Sequence, residues 1–144
     1  MQRNIGKPGA AAAGQTDKAF TIAPYTKVTI LDGSSEDDAR RREAQQLLQF
    51  YINRMGVFYW QMLERNGFAE EVRHSRAAWA KRDADGSITA ISDRMLGACQ
   101  VIGPLEAVRE QLQERAELGA DIQMLYMPPG DPAQVGRTLE SLMR

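Results

Sequence analysis

The sequence has 144 residues, 43% of them hydrophobic and 26% charged, which is the composition of one soluble globular domain. Its 18 basic and 19 acidic residues leave a net charge of −1, so no charge field attracts nucleic acid or an anionic membrane. A single cysteine, Cys99, excludes an internal disulfide and a multi-cysteine zinc site, and no apolar run suits a signal peptide or a membrane-spanning helix, so we expect a cytoplasmic protein.

The first predicted elements are a lead-in segment and a strand. Residues 1–19 are expected to be partly helical or frayed, because glycine and proline interrupt an alanine-rich run. Residues 20–144 are expected to form the domain. Its first strand is predicted between Tyr25 and Leu31, where β-branched and aromatic residues concentrate. The segment Asp32–Ser35 supplies the turn that closes this strand.

A helical insertion is predicted at about residues 36–90. Ser35 is a suitable N-cap for its first helix, and the three acidic residues 36–38 suit the positive end of a helix dipole. Apolar side chains then recur at steps of three and four residues, which indicates an amphipathic helix. These side chains belong to Ala44, Leu47, Leu48, Tyr51, Ile52 and Met55. Gly56 interrupts the pattern.

The insertion is predicted to continue with a further helix from about Ala69 to Arg82. Its buried side is expected to carry Val72, the stem of Arg76 and Trp79. The segment Asp83–Gly86 ends this helix. Ser92 or Asp93 can then cap a short helical turn that runs through Met95 and Leu96.

The closing part of the chain has the pattern strand, helix, strand, helix. A brief buried strand is predicted at residues 100–103, and Pro104 fits the first position of the next helix, where its missing N–H is not needed. Residues 122–127 form the next predicted strand, and Pro128–Gly130 turns the chain. A last helix is predicted to begin at Pro132.

This order of elements predicts an α/β fold. A strand, a helix and a strand with short connections form a right-handed crossover between parallel strands. About three strands can be found, whereas a closed (β/α)₈ barrel has eight and needs about 250 residues. We therefore expect either a small open sheet or strands that pair with strands from elsewhere.

One segment of the insertion has a distinctive sequence, Tyr51-Ile52-Asn53-Arg54-Met55-Gly56, followed by Phe58-Tyr59 and then by Gly67-Phe68. It resembles the Tyr-Ile-Gly-Gly-Met-Gly element of the luciferase-like flavin-dependent oxidoreductases. The likeness is greatest to the branch related to deazaflavin-dependent methylenetetrahydromethanopterin reductase. Asn53-Arg54 departs from the two glycines of the family. It adds bulk and charge at positions where glycine would let another group approach the backbone closely.

Other segments resemble the same family in the same order. They are Ala11–Gly14 with Phe20–Pro24, then Ser92–Leu96, Val101–Arg109 and Ala116–Asp121. The resemblance covers nearly the whole chain but only the closing portion of a family member. It implies the C-terminal part of a (β/α)₈ TIM-type barrel, with about three parallel strands and a helical insertion, incomplete as a single chain. The first five barrel strands, which carry most residues around the isoalloxazine ring, have no counterpart here.

The resemblance also implies a cofactor, either FMN or the 8-hydroxy-5-deazaflavin coenzyme, which performs the chemistry while the protein positions and shields it. Tyr51, Asn53, Met55 and Gly56 are predicted to border the cofactor or substrate pocket. The alternative is that these residues belong to a core helix stripe broken by a glycine, because several of them already fit the helical period. No metal is expected, since His74 is the only histidine and has no second ligand at metal spacing.

Two functions remain open. The first is a truncated or split oxidoreductase or monooxygenase that contributes the last barrel strands and is inactive as an isolated chain; its partner is a second copy or a chain that supplies the missing barrel half. The second is a non-enzymatic α/β remnant that oligomerises or binds a partner through surface that an intact barrel covers. Phe58-Tyr59-Trp60 is an aromatic cradle or, more simply, packing beside the helix break, and Cys99 is expected to be a small apolar filler.

Overall fold

The computed structural model describes residues 9, 11–14, 21–127 and 131–143. The chain forms two compact units. The terminal unit comprises residues 1–30 and 103–144, and the helical unit comprises residues 31–102. Most of the predicted lead-in segment and the predicted turn at Pro128–Gly130 lie outside the described residues.

Three strands form one parallel sheet. They are β1 (Tyr25–Ile30), β2 (Val101–Gly103) and β3 (Met124–Tyr126). The order in the sheet is β2–β1–β3. The predicted α/β class with three parallel strands is confirmed, although β3 is shorter than the predicted 122–127. At the predicted start of this strand, the N–H of Ile122 donates to the carbonyl of Ile22, ahead of the β1–β3 pairing.

Helices fill the chain between β1 and β2. They are α1 (Asp37–Arg54), α2 (Val57–Leu63), α3 (Ala69–Ala80), α4 (Ala84–Thr89) and α5 (Asp93–Cys99). Between α2 and α3 the segment Glu64–Phe68 is kinked, because Asn66 and Gly67 leave the helical backbone. Gly67 has φ +90°, a left-handed conformation that glycine adopts without strain.

The start of α1 differs from the predicted one. The N-cap is Glu36 and not Ser35, and no side chain caps the helix from that position. Asp37, inside the first turn, accepts hydrogen bonds from the backbone N–H groups of Asp32 (3.2 Å) and Gly33 (2.8 Å). The Asp37 carboxylate thus holds the turn before the helix, and no side chain caps α1 from the N-cap position.

Helix α4 is absent from the prediction, which ended a helix at Asp83–Gly86. Helix α3 does end nearby, at Ala80, but Asp83 then caps a new helix by accepting a hydrogen bond from the Gly86 N–H at 2.8 Å. An aspartate three residues before a helical N–H is the usual N-cap arrangement. Ser92 caps α5 in the same way, through the Met95 N–H at 3.1 Å, as predicted.

The core of the helical unit joins α1 to α5. Its buried members are Ala44, Leu48, Ile52, Leu63, Phe68, Val72, Ile91, Met95 and Leu96. Half-buried Trp60, Cys99 and Ile102 pack against this cluster. Of the apolar stripe predicted for α1, Ala44, Leu48 and Ile52 lie in this core, spaced four residues apart. The packing of Cys99 agrees with its expected role as an apolar filler.

The terminal unit adds α6 (Leu105–Glu117) and α7 (Pro132–Met143). Helix α6 contacts both β1 and α7, and its Val108 and Leu112 are buried. Arg109 ties the two helices together, because its Nε donates to the carbonyl oxygen of Ser141 at 2.8 Å. The sheet is held to its leading segment by the Ile22 N–H, which donates to the carboxylate of Asp121 at 2.8 Å.

Candidate functional site

The helical unit has an open turn between α1 and α2. Gly56 has φ +92°, and no atom lies within 4 Å of the position that a Cβ would take there. Met55 is 43% exposed. Tyr51, one turn earlier, is half-buried, and its ring centroid lies 4.9 Å from that of Tyr59 on α2. Three of the four predicted pocket residues, Tyr51, Met55 and Gly56, thus lie at one accessible turn.

Asn53, the fourth predicted pocket residue, joins three helices. Its Nδ2 donates to the Gln49 carbonyl at 3.0 Å, to Ser75 Oγ of α3 at 3.1 Å and to Ser87 Oγ of α4 at 3.3 Å. Both serines are buried, and their hydroxyl oxygens lie 3.0 Å apart. Gln49 Nε2 also donates to Ser87 Oγ at 3.2 Å. The amide nitrogen of Asn53 is therefore used within a buried polar network that holds α1, α3 and α4 together.

The aromatic segment of α2 divides between core and surface. Trp60 packs against the core, and the Arg76 guanidinium lies 4.5 Å from its ring centroid. Phe58 is 77% exposed and Tyr59 is 39% exposed. Packing beside the helix break therefore explains Trp60 and part of Tyr59, whose ring contacts Tyr51, whereas Phe58 lies on the surface next to Gly56.

An arginine extends this aromatic surface along α1. Arg54 Cζ lies 6.0 Å from the ring centroids of both Phe50 and Trp79, a distance at which cation–π attraction operates. Phe50 in turn makes an edge contact with Tyr51 at 6.2 Å. Arg54 thus contacts two rings, Phe50 of α1 and the half-buried Trp79 of α3.

A cluster of carboxylates surrounds Arg40 directly after β1 in the chain. Arg40 Nη1 lies 2.7 Å from Asp32 Oδ1 and 3.0 Å from Asp37 Oδ1, and Nη2 lies 3.1 Å from Glu36 Oε2. The hydrogen bond from Arg40, supported by Ser34, holds the pKa of Asp32 well below its ordinary value of 3.8. The same bond raises the pKa of Arg40. Because three carboxylates already surround Arg40 there, the start of α1 is poorly suited to bind an anion.

We expect Asp32 to stabilise the fold in a pH-dependent way. Since its pKa is lower in the folded chain than in the unfolded one, the ionised group stabilises the fold above its ordinary pKa of 3.8, and this contribution is lost as the pH falls through the folded-state pKa. The effect is modest, because the side chain is 53% exposed. Urea unfolding between about pH 2 and 7 should show a weaker acid dependence for Asp32→Asn than for the wild type. Asp38→Asn, at an exposed position in the first turn of α1, is the control, and equal acid dependence of both variants would contradict the expectation.

The segment Ser92–Leu96 has a structural role in every described contact. Ser92 Oγ donates to Glu71 Oε1 at 2.8 Å, and Arg94 Nη2 donates to the same oxygen at 3.0 Å and to the Gly67 carbonyl at 2.8 Å. Burial alone would raise the pKa of Glu71, but hydrogen bonds from its own backbone N–H, from Ser92 and from Arg94 lower it overall. The segment therefore ties α5 to the kink before α3.

One face of the sheet carries polar and aromatic groups. Lys27 lies opposite Tyr126 in the parallel ladder, and its Nζ is 4.7 Å from the centre of that ring, which also contacts Tyr25 at 5.7 Å. Lys27 is buried, and so is Thr29 on the same face, whose Oγ1 has no hydrogen-bond partner among the described residues. Tyr25, Lys27 and Thr29 share this face because they are spaced two residues apart in β1. This spacing is the only sequence signal for the face, and the composition of the strand alone does not reveal it.

Among the residues that the structure describes, no group of three or more histidine, cysteine, aspartate or glutamate side chains could hold a metal ion. His74 is exposed on α3. None of the described helices is both long enough and apolar enough to cross a membrane.

Comparison with known proteins identifies the family. The family profile for luciferase-like monooxygenases matches residues 5–122, a stretch that includes β1, the helical unit and α6. No curated protein and no solved structure gives a significant match to the chain. Because the matched stretch covers well over half of the chain, the family assignment rests on nearly the whole domain and not on one motif. The chain belongs to the luciferase-like monooxygenase family.

Proposed function

We propose that this chain is the closing portion of a flavin- or deazaflavin-dependent oxidoreductase, in which the turn at Gly56 borders the cofactor. The observation that carries the proposal is the accessible turn where Gly56, Met55 and the Tyr51–Tyr59 ring pair meet. A planar ring system binds well against tyrosine rings and a methionine thioether. A backbone without a Cβ allows it to approach closely.

The residues at this turn fit a flavin or deazaflavin ring only in part. Tyr51, Met55 and Gly56 offer apolar contact and open backbone, while the amide nitrogen of Asn53 is used between the helices. Asn53 is therefore proposed as a residue that positions the turn behind the pocket. When bound, the cofactor supplies the hydride or oxygen chemistry, and the protein residues hold it and exclude water.

The proposed activity needs more strands than the sheet contains. A (β/α)₈ barrel places its site at the carboxyl ends of eight strands, and the described sheet has three. We infer that the other strands come from a second polypeptide or from further sequence of the same protein. In the order β2–β1–β3 the central strand is β1, so further strands would pair at the outer edges of β2 and β3.

Titration of the purified chain with FMN and with the 8-hydroxy-5-deazaflavin coenzyme tests the pocket. Flavin fluorescence and tryptophan quenching should both show saturable binding, since Trp60 and Trp79 lie in the helical unit. Gly56→Leu should weaken that binding about 10-fold or more, because a side chain at φ +92° would project into the open turn.

Gly67→Leu is the matched control. Gly67 is an exposed glycine with φ +90°, so leucine meets the same backbone strain there, and it lies beyond the other end of α2 from the Gly56 turn. Circular dichroism of both variants separates lost binding from lost folding. Absence of saturable binding of either cofactor to the folded wild-type chain would overturn the pocket assignment, and equal weakening by both leucines would remove Gly56 from it.

The finer identity of the enzyme is also a proposal. The likeness of Tyr51–Gly56 to the methylenetetrahydromethanopterin reductase branch favours the deazaflavin coenzyme over FMN. The balanced charge makes nucleic acid an unsuitable partner, and a single cysteine suits a reducing, cytoplasmic location. The ratio of the two dissociation constants in the titration above tests the choice of cofactor.

A further inference from the structure

The last turn of α1 holds an arginine just before the Gly56 turn. Arg54 is exposed, and its Cζ lies 6.0 Å from the ring centroids of both Phe50 and Trp79. Contacts with aromatic rings restrict a guanidinium group without using its N–H donors. Arg54 makes no hydrogen bond and no ion pair with the residues that the structure describes. Its donors are therefore available to a ligand.

A second arginine reaches the same turn of α1 from α3. Arg76 is also exposed, and its Nη1 donates to the Ile52 carbonyl, two residues before Arg54, at 3.5 Å. Its Cζ lies 4.5 Å from the ring centroid of Trp60. Arg76 has no carboxylate partner among the described residues either. The last turn of α1 is thus flanked by two guanidinium groups, each of which lies against a tryptophan ring.

The charges around these two arginines suit an anion. Arg54 is the only charged residue in the stretch 44–63, which spans the C-terminal part of α1 and all of α2. The stretch 72–82, which carries Arg76, has four lysine or arginine residues and no carboxylate. The helix dipole favours a cation at the end of α1, and Arg76 meets that need through the Ile52 carbonyl. Arg54 has no such partner in the described part of the chain, so an anionic ligand would balance its charge.

We propose that Arg54 and Arg76 bind a phosphoryl group beside the Gly56 turn. A guanidinium group presents parallel N–H donors that match two oxygens of a phosphate, and stacking on a ring holds that plane in place before the ligand arrives. The phosphoryl group belongs either to the side chain of the cofactor or to a separate phosphorylated ligand. The anion site itself rests on the arginine contacts alone. Only its assignment to the cofactor side chain rests on the proposed function.

Titration of the full chain with inorganic pyrophosphate tests the anion site without any flavin. Tryptophan fluorescence should change saturably, because both arginines lie against tryptophan rings. Arg54→Gln should raise the dissociation constant of pyrophosphate about 10-fold, since it removes a charged hydrogen-bond donor. Arg54→Lys should raise it less, because lysine keeps the charge but loses the planar pair of donors.

Arg65→Gln is the matched control. It removes the same charge from an exposed arginine beyond the other end of α2, where Arg65 Nε donates to the Gln61 carbonyl at 3.2 Å. Its dissociation constant for pyrophosphate should equal that of the wild type. Arg76→Gln should weaken binding as Arg54→Gln does, and circular dichroism checks that it still folds, because Arg76 also packs on Trp60. Exposed Arg54 keeps the test decisive if the Arg76 variant unfolds.

Pairs of cofactors with and without phosphate identify the source of the phosphoryl group. They are FMN against riboflavin, and the 8-hydroxy-5-deazaflavin coenzyme against the same deazaflavin without its phosphate-bearing side chain. If the cofactor side chain fills the site, the phosphate-bearing member of the pair that the chain prefers should bind about 10-fold more tightly. Arg54→Gln should abolish that difference, and Arg65→Gln should keep it. Equal binding within each pair, with pyrophosphate still bound, assigns the site to a separate phosphorylated ligand.

The outcomes separate this site from the proposed cofactor pocket. Saturable pyrophosphate binding that depends on Arg54, with no binding of any flavin or deazaflavin, would keep the anion site and overturn the pocket. A folded wild-type chain that does not respond to pyrophosphate and does not prefer the phosphate-bearing cofactors would overturn the anion site. Arg54→Gln binding pyrophosphate as tightly as the wild type would also overturn it.

Discussion

Replacing Leu96 with alanine should lower the free energy of unfolding by about 3–5 kcal/mol. Leu96 is fully buried in the cluster that joins α1 to α5, so the substitution removes apolar contacts and leaves a cavity that close-packed neighbours fill only partly. Total stabilities of single domains are about 5–15 kcal/mol, so this one change removes a large share. Guanidinium unfolding followed by circular dichroism measures the loss.

Leu118→Ala is the matched control for this measurement. It makes the same chemical change at a position that is 44% exposed, just after α6, and it should cost less than about 1 kcal/mol. A loss at Leu96 no larger than the loss at Leu118 would contradict the packing of α5 into the core. The expected difference would also support a structural role for the segment Ser92–Leu96, which resembles a family motif and contains Leu96.

The sequence predicts the main elements well where the local signals agree. Strand β1 and helix α1 fall within one or two residues of their predicted bounds, since β-branched content and apolar periodicity extend over whole elements. Helix α4 is missed because it has six residues, too few for a periodic pattern to be visible. Its only local signal is the capping aspartate, Asp83, which the prediction treats as part of a turn.

The candidate site is harder to predict than the fold. The motif at Tyr51–Gly56 locates the open turn, because Gly56 breaks the amphipathic pattern and takes a positive φ that other residues rarely adopt. The role of Asn53 depends on Ser75 and Ser87, which lie 22 and 34 residues away along the chain. No local pattern reveals that three polar side chains from different helices share one buried network. For the same reason the exposure of Phe58 beside buried Leu63 is not evident from composition.

Asn53 offers the second large effect, because its amide joins α1 to two buried serines, at a position where the family element that it resembles has glycine. Asn53→Ala should cost about 1–3 kcal/mol, since two buried serine hydroxyls lose a donor while the helix itself is favoured by alanine. Asn53→Gly, which restores the family residue, should cost about 1 kcal/mol more, because glycine is unfavourable inside a helix. Urea unfolding of the two variants measures both steps.

A double-mutant cycle separates the network from the backbone effect. Combining Asn53→Ala with Ser87→Ala should give a coupling energy of about 0.5–3 kcal/mol, because each substitution removes the same hydrogen bond. If the energies of the two single variants simply add, the contact does not stabilise the fold. Cofactor titration of Asn53→Gly then distinguishes two reasons for the departure from the family. Tighter binding by the glycine variant would mean that Asn53 narrows the pocket, whereas unchanged binding with reduced stability would mean that this chain uses position 53 to hold three helices together behind the open turn.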